Sequence, residues 1–200
     1  MEPKLSLNYS SQGGNGIAGV GWSLGGLSAI TRCPQTIVQD GVTRGVQLDA
    51  NDRFCLDGQR LIVINGAAYG ALGAEYRTEI ESFSKIVSYG GTAGDPQYFK
   101  VWTKAGQIIE LGNTTYSRVE AQGKTIATAW ATNKISDTVG NYFTFTYFED
   151  NSSGEHRIDR IDYTGNAVVA PYNAVEFQYE ARPDPSMGYL AGSLCVKRSA

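Results

Sequence analysis

The 200-residue sequence is poor in the side chains that most metal and triad sites need. It has one histidine, His156, and three cysteines, Cys33, Cys55 and Cys195, which lie far apart without a Cys-x-x-Cys pair. Zinc sites require several such ligands at short, regular spacings, so none is expected. Because three cysteines cannot all pair within one chain, at most one disulfide is possible. The simplest interpretation is that all three are small buried or half-buried residues.

The sequence also lacks an excess of charge and long apolar runs. Its 20 acidic and 17 basic residues give a net charge of −3 and form no run of one sign, which argues against a nucleic-acid surface. The longest aliphatic run, residues 61–64, is far shorter than the roughly 20 residues of a membrane-spanning helix, and we expect no membrane insertion. The first residues contain no apolar signal-peptide core, so export would need another route or an upstream segment.

Glycine and tyrosine, by contrast, are abundant, with 24 and 12 copies. Helical periodicity is scarce, and short β-branched or aromatic runs alternate with turn residues. This pattern predicts an all-β fold of antiparallel strand-turn-strand hairpins that form a curved sheet. Three hairpins are predicted: residues 53–64 around an Asp57-Gly58 turn, residues 99–111, and residues 129–148. Asp-Gly favours a type I′ turn, whose twist matches that of the strands it joins.

The segments between these hairpins are less regular. Residues 75–89 read as one or two strands, whereas the composition of residues 90–96 and 149–155 predicts loops, the second of them exposed. The pattern Asp-x-x-Gly-Asn occurs at residues 137–141 and again, 25 residues later, at residues 162–166. A short repeat of this kind predicts stacked strand-turn-strand units.

A glycine-rich segment, residues 5–32, is the most unusual part of the chain. An alternating strand is followed by seven glycines between residues 13 and 26 and then by a second alternating run. Dense glycine favours positive φ or close packing under a bulky group, and we expect Trp22 to be that group. The predicted structural signature comprises Gly14, Gly16, Gly19, Gly21, Trp22, Gly25 and Gly26, together with Asp57 and Gly58 of the first hairpin.

Two catalytic or cofactor motifs occur within this segment. Residues 14–19 fit G-x-G-x-x-G, with Asp40 at the spacing of a ribose-binding acid, but the motif needs a helix that this glycine-rich sequence does not predict. Residues 21–25 fit G-x-S-x-G, and His156 could complete a triad with Ser23. A nucleophile elbow requires a strand-turn-helix in a parallel sheet, so we treat a serine hydrolase as the least favoured hypothesis. No cofactor is expected.

Other candidate sites have simpler interpretations. Glu79 and Glu81 resemble the paired acids of ADP-ribosyltransferases but are expected to lie on an exposed strand face. Residues 150–155 are oxygen-rich without the alternating ligands of a calcium loop. Trp22, Trp102 and Trp130 are expected in the core because of the area each buries. Exposed tryptophans would instead favour a sugar-binding surface.

The sequence resembles a known family over almost its whole length. Residues 5–32, with the run SQGGNGIAGVGWSLGGLSAITR, resemble the amino-terminal domain of the SpvB/TcaC family, which includes Salmonella virulence plasmid B proteins, the B components of insecticidal toxin complexes and related RHS/YD-repeat proteins. Further blocks resemble the same family at residues 52–61 (DRFCLDGQRL), 75–80 (EYRTEI), 98–104, 133–137 and 160–166.

The resemblance implies an all-β segment of a large secreted bacterial toxin. In the toxin complexes of the family, the B component and an RHS-repeat partner build a hollow β-shell around a cytotoxic carboxy-terminal segment, and a β-propeller docks onto a translocation pore. The Salmonella protein carries an actin-directed ADP-ribosyltransferase at its other end. The present sequence shows no such module, reads as a fragment of a longer shell, and is expected to be non-catalytic.

The sequence therefore supports one leading hypothesis and one alternative. Residues 1–200 are expected to form one amino-terminal β-domain, within which residues 131–180 could form two YD-like units. The leading hypothesis is a structural module that helps to enclose or deliver a toxic segment. Its expected partners are the downstream RHS or toxin portion, of the same or another chain, and a pore component. The alternative is an adhesive or carbohydrate-binding β-domain.

Overall fold

The computed structural model describes residues 1–181 and 186–197, and its regular structure is almost entirely β. The one helix in these described residues, the four-residue α1 (Ile37–Asp40), interrupts the strands. In the described part of the chain, helical structure is thus too short to cross a membrane. The strands are β1 (Ser6–Tyr9), β2 (Asn15–Gly16), β3 (Gly19–Val20), β4 (Trp22–Gly25), β5 (Ala29–Cys33), β6 (Arg53–Leu56), β7 (Gln59–Val63), β8 (Glu75–Thr78), β9 (Lys85–Thr92), β10 (Asp95–Trp102), β11 (Ile108–Leu111), β12 (Arg118–Glu120), β13 (Ala127–Ser136), β14 (Tyr142–Asp150), β15 (Glu155–Gly165), β16 (Asn173–Glu176), β17 (Ser186–Leu190) and β18 (Ser193–Lys197).

Eight of these strands close into a cylinder. The strands β5 to β11 pair antiparallel in chain order, and β13 joins β11 to β5 and so completes the ring. The predicted Asp57-Gly58 turn connects β6 and β7, and both of its residues have positive φ, 48° and 81°, as a type I′ turn requires. The all-β, antiparallel hairpin prediction is therefore confirmed, with closure of the ring as a feature that the sequence did not show.

Every strand of the cylinder contributes at least one apolar side chain to its interior. Trp130 is fully buried at its centre and packs edge-on against Phe54 and Phe99, with ring centroids 5.4 and 5.1 Å apart. The Trp130 Nε1–H donates to the carbonyl of Pro96 at 2.9 Å, which satisfies its one polar group. The cylinder is consequently a solid core and not a channel. The remaining members of this core are Ile30, Leu61, Ala74, Tyr76, Ile86, Val101, Leu111 and Ala127.

A buried arginine ties the cylinder together at one end. The side chain of Arg32 on β5 is fully buried and forms ion pairs with Asp52 at 3.4 Å and Asp95 at 3.1 Å. Its guanidinium also donates to backbone carbonyls, those of Asp49, Gly94 and Ala127. Burial lowers the pKa of Arg32, and the two carboxylates oppose that shift. One cation thus joins four separate chain segments.

The cysteines need a correction. Cys33 on β5 and Cys55 on β6 form a disulfide with their Cα atoms 6.0 Å apart, so two of the three are paired and not merely buried. In the register of these neighbouring strands, Cys33 lies opposite Arg53 and Cys55 lies opposite Thr31. The two cysteines are therefore diagonal neighbours on adjacent strands. Cys195, half-buried on β18, is the third.

Beyond the cylinder the sheet continues outward from β13. The strands β13, β14, β15 and β16 form an antiparallel meander, and β18 joins β15 in parallel with β17 at its outer side. A second core cluster covers this outer sheet, formed by Ala131, Phe143, Phe145, Tyr147, Ile158 and Ile161. The two Asp-x-x-Gly-Asn copies meet here, because the side chain of Asn166 donates to that of Asn141 at 2.9 Å. Their division into YD-like units stays a prediction.

Two loop predictions were too long, because only residues 93–94 and 151–154 form turns within them, and residues 75–89 hold two strands separated by residues 79–84. Residues 90–96 belong to the β9–β10 hairpin, where Gly90 and Gly91 adopt φ of 58° and 73° within the strand. Glu155, expected in an exposed loop, begins β15 and is buried. Glu79 and Glu81 are exposed as expected, but they follow the end of β8 instead of sharing a strand face.

We expect Arg32→Met to destabilise the protein by about 3–5 kcal/mol, because it removes the buried cation that Asp52 and Asp95 share and leaves three backbone carbonyls at the cylinder end without their donor. Urea unfolding followed by tryptophan fluorescence measures the change. The matched control is Arg160→Met on the outer sheet, since Arg160 is 40% exposed and pairs with Asp162 and Glu176; this variant should unfold at nearly the wild-type urea concentration, because exposed ion pairs contribute little to stability. Equal losses in both variants would contradict the role assigned to Arg32.

Candidate functional site

The glycine-rich segment forms an arm, defined here as residues 4–27, that lies against the outer sheet. Within the arm, β1 pairs antiparallel with β4, and β2 pairs with β3. Leu5, Ile17, Leu24 and Leu27 pack against the second core cluster. All four residues of β1 are exposed, so the arm contacts the protein on one side only.

Several arm glycines have no room for a side chain. A Cβ on Gly21, which has φ of 80°, would lie 2.7 Å from the carbonyl of Ser10. A Cβ on Gly16 would lie 1.9 Å from the carbonyl of Trp22, and one on Gly26 would lie 2.0 Å from that of Lys4. Gly14, in contrast, has open space around it. The arm is compact because its backbone strands approach each other at these glycines.

Trp22 does not pack over the glycines as expected. It is 41% exposed and contacts the ring of Tyr9, its direct partner on β1, at 5.2 Å between centroids. The ring that covers Gly21 belongs to Tyr9, whose Cε2 atom would be 2.8 Å from a Cβ at that position. The expectation of three core tryptophans was also wrong, since Trp130 is buried but Trp102 is only half-buried.

Ser23 and His156 line the same hollow beneath the arm, of about 330 Å³, but do not form a catalytic pair. The Nε2–H of His156 donates to the carbonyl of Tyr116 at 2.8 Å, and its ring stacks on Tyr147. Burial lowers the pKa of His156. Among the described residues, no hydrogen bond joins His156 to Ser23 or to a carboxylate, so the orienting group of a triad is missing as well.

The dinucleotide-binding motif also lacks the local structure that it requires. Residues 14–19 lead into the short strands β3 and β4, where the motif needs a helix. Asp40 holds the cylinder end instead, because it accepts hydrogen bonds from Arg53 and Arg60. Burial alone would raise the pKa of Asp40, but these hydrogen bonds lower it to about 2.

The outer sheet ends in two exposed edges with apolar side chains. β16 and β18 both pair with the side of β15 that faces away from β14, β16 at residues 160–163 and β18 at Glu155, and β17 lies outside β18. In the described residues, no further strand pairs with the outer side of β16 or of β17. An unpaired edge presents free backbone donors and acceptors to a further strand. The exposed apolar residues near these two strands, which we call the edge surface, are Val168, Val169 and Tyr172 before β16 and Met187 and Tyr189 on β17.

A polar groove of about 730 Å³, which the sequence did not indicate, opens where β14 ends. It lies between the β11–β12 loop and the β14–β15 turn. Tyr116 stands in the loop, Arg118 and Glu120 come from β12, and Glu149 comes from β14. The residues are scattered over the sequence with no shared motif, so only the fold brings them together.

The model of the family described as Salmonella virulence plasmid 65kDa B protein, SpvB, matches residues 1–167. The chain belongs to the SpvB family. Its relatives include the mono(ADP-ribosyl)transferase SpvB of Salmonella typhimurium strain 14028s, which is 23% identical over 194 residues. The corresponding protein of Salmonella choleraesuis strain SC-B67 is 24% identical over 196 residues. Each match covers 88% of this chain and 31% of the relative, so the chain spans about a third of the length of these proteins.

Solved structures show the same fold in this family and in toxin complexes. The N-terminal domain of the effector protein SpvB from Salmonella typhimurium strain LT2 superposes with a TM-score of 0.75 at 22% identity, covering 98% of this chain and 80% of that one. The TcdB2-TccC3 crystal structure gives 0.74 at 20% identity, and the Photorhabdus luminescens Tc holotoxin pore gives 0.76 at 17%. Those two matches cover only 12% of the larger chains.

We expect Gly21→Val to disrupt the arm, because the new side chain would collide with the Ser10 carbonyl and Tyr9 and is strained at positive φ. Limited proteolysis should cut the arm of this variant at least tenfold faster than that of the wild type. Gly14→Ala, at the open position, and Ser23→Ala, at the unpaired hydroxyl, are the controls and should behave as the wild type. Equal proteolysis of Gly21→Val and Gly14→Ala would contradict the close packing described.

Proposed function

We propose that this chain is a non-catalytic wall and assembly module of a bacterial toxin of the SpvB type. In this proposal it forms part of a β-shell that encloses or delivers a toxic carboxy-terminal segment. Its partners are the downstream RHS or toxin portion, of the same or another chain, and a pore component. The observation that carries the proposal is the edge surface, where the described part of the outer sheet ends in strands that are paired on one side only, with apolar side chains exposed nearby.

The exposed apolar residues of this surface are large. Val168 is 88% exposed, and Tyr172 and Tyr189 are 73% and 74% exposed. The arm adds a second apolar surface through Leu7, 61% exposed, and Tyr9. Exposed apolar side chains beside open strand edges favour association with further β-structure. The toxin complexes with the same fold contain partner proteins in their solved structures, which supports a similar use of these surfaces here.

The chemistry of the described residues supports a structural role. The serine of the elbow-like motif has no base, and no cluster of His, Cys, Asp or Glu in the described residues could hold a metal. The curated relatives are named as transferases, but this chain matches the SpvB N-terminal domain. We therefore do not assign the transferase activity to it.

We also propose that the protein works outside the cytoplasm of the producing cell. The Cys33–Cys55 disulfide supports this, because disulfides persist in oxidising compartments and are rare in reducing ones.

The purified chain should therefore self-associate through the edge surface, with a sedimentation mass above that of a monomer. Tyr172→Lys combined with Tyr189→Lys should reduce association at least fivefold, because charged side chains at strand edges disfavour pairing. Co-expression with the downstream portion of an SpvB-family toxin should replace self-association by a soluble complex, and the double variant should not enter that complex.

The control for added charge is Val38→Lys combined with Val139→Lys, at positions 86% and 74% exposed and outside the edge surface. This variant should associate and form the complex as the wild type does. A wild-type chain that is monomeric, highly thermostable and indifferent to the downstream portion would refute the proposed function.

A further inference from the structure

The polar groove at the end of β14 is not used by the proposed assembly role. It shares no residue with the edge surface or with the arm. Its volume of about 730 Å³ lies within the roughly 300–1,000 Å³ range of small-molecule sites. A groove of this size, lined by converging polar groups, is a candidate site for a small ligand.

The walls of the groove are fixed before any ligand arrives. The hydroxyl of Ser117 donates to the carbonyl of Thr114 at 2.7 Å, and the backbone N–H of Asn113 donates to the side chain of Asn133 at 2.9 Å. On the opposite side, the side-chain amide of Asn151 donates to the carbonyl of Ala121 at 3.2 Å. A preorganised site loses little conformational entropy when it binds.

Tyr116 is held at the rim in an unfavourable backbone conformation. Its φ is 66°, which non-glycine residues rarely adopt, and its side chain is 47% exposed. The bond from His156 Nε2 to its carbonyl anchors this conformation. Local strain of this kind persists where the surrounding structure over-determines it, and such positions cluster at ligand sites. The result is an aromatic face presented to solvent beside the groove.

The carboxylate of Glu149 is a hydrogen-bond acceptor that has no ion-pair partner among the described residues. One carboxylate oxygen accepts the backbone N–H of Glu120 at 2.9 Å, and no ion pair joins Glu149 to a cation in the part of the chain that the structure describes. Arg118, the cation that lines the groove, pairs instead with Asp95 at 2.5 Å and Glu120 at 2.9 Å. Burial raises the pKa of Glu149, and the hydrogen bond from the Glu120 backbone opposes that shift.

These features select the chemistry of a ligand. The carboxylates of Glu120, Glu149 and Asp150 disfavour anions and favour hydroxyl or amide donors. An exposed tyrosine ring favours a flat, partly apolar partner. A sugar offers both, since its ring has an apolar face and its hydroxyl groups donate hydrogen bonds. We propose that this groove binds a neutral oligosaccharide, with Tyr116 as the stacking surface and Glu149 as the main acceptor of hydroxyl hydrogen bonds.

The test applies the labelled 200-residue chain to an array of neutral and sialylated oligosaccharides. Calorimetry then measures the affinity for the neutral oligosaccharide that binds best. Neutral oligosaccharides should bind and sialylated ones should not. Tyr116→Gly, which removes the ring and suits the positive φ, should weaken binding at least tenfold. Tyr116→Phe keeps the ring and should stay within twofold of the wild type. Glu149→Gln should weaken binding about threefold or more.

Tyr189→Ala is the matched control, because it removes an exposed tyrosine outside the groove and should leave sugar binding unchanged. Thermal unfolding of every variant verifies that the fold is retained. The proposal is overturned if no neutral oligosaccharide binds, if Tyr116→Gly binds as the wild type, or if a lysine-rich peptide binds the groove in place of any sugar. None of these results would affect the edge-surface test, which has a separate readout.

Discussion

The buried guanidinium of Arg32 is the constraint on which the cylinder depends. A charge removed from water is tolerated only where it is paired and fully hydrogen-bonded, so the segments that supply its partners must all be in place together. They are the loop before β6, through Asp49 and Asp52, the β9–β10 turn, through Gly94 and Asp95, and the start of β13, through Ala127. These segments are up to 95 residues from Arg32 in sequence. The interaction therefore selects a closed ring over an open sheet with similar local pairing.

The outer features follow from one long strand of that ring. β13 pairs with β5 in its first half and with β11 and β14 in its second. It thus belongs both to the cylinder and to the outer sheet, and it carries Trp130 in one core and Ala131 in the other. The arm rests on this outer sheet, and the polar groove opens where its second strand ends. Both candidate surfaces are therefore positioned by the same rigid element.

Sequence reasoning succeeded where the determinants are local. The Asp57-Gly58 turn and the hairpins at residues 99–111 and 129–148 depend on turn chemistry and alternation within a few residues. The loop predicted at residues 90–96 is mostly strand, because its glycines distort a strand where glycines usually mark a loop. Gly91 is an example, since a Cβ at this position would lie only 2.3 Å from the carbonyl oxygen of Asp95. The disulfide could not be assigned from the sequence because it depends on the register of β5 against β6. The groove could not be predicted because its residues come together only after the ring has closed.

The solid interior of the cylinder restricts how such a module can take part in an enclosure. Every strand of the ring contributes buried apolar groups, and Trp130 occupies the centre without accessible surface. Cargo cannot pass through or reside within this ring, so an enclosed segment must lie against an outer face. The faces available are the arm, the outer sheet and its edges, where no further strand pairs among the residues that the structure describes. An enclosing wall would then grow by strand addition at β16 and β17, while the cylinder serves as a rigid support that keeps the growing edge in one orientation.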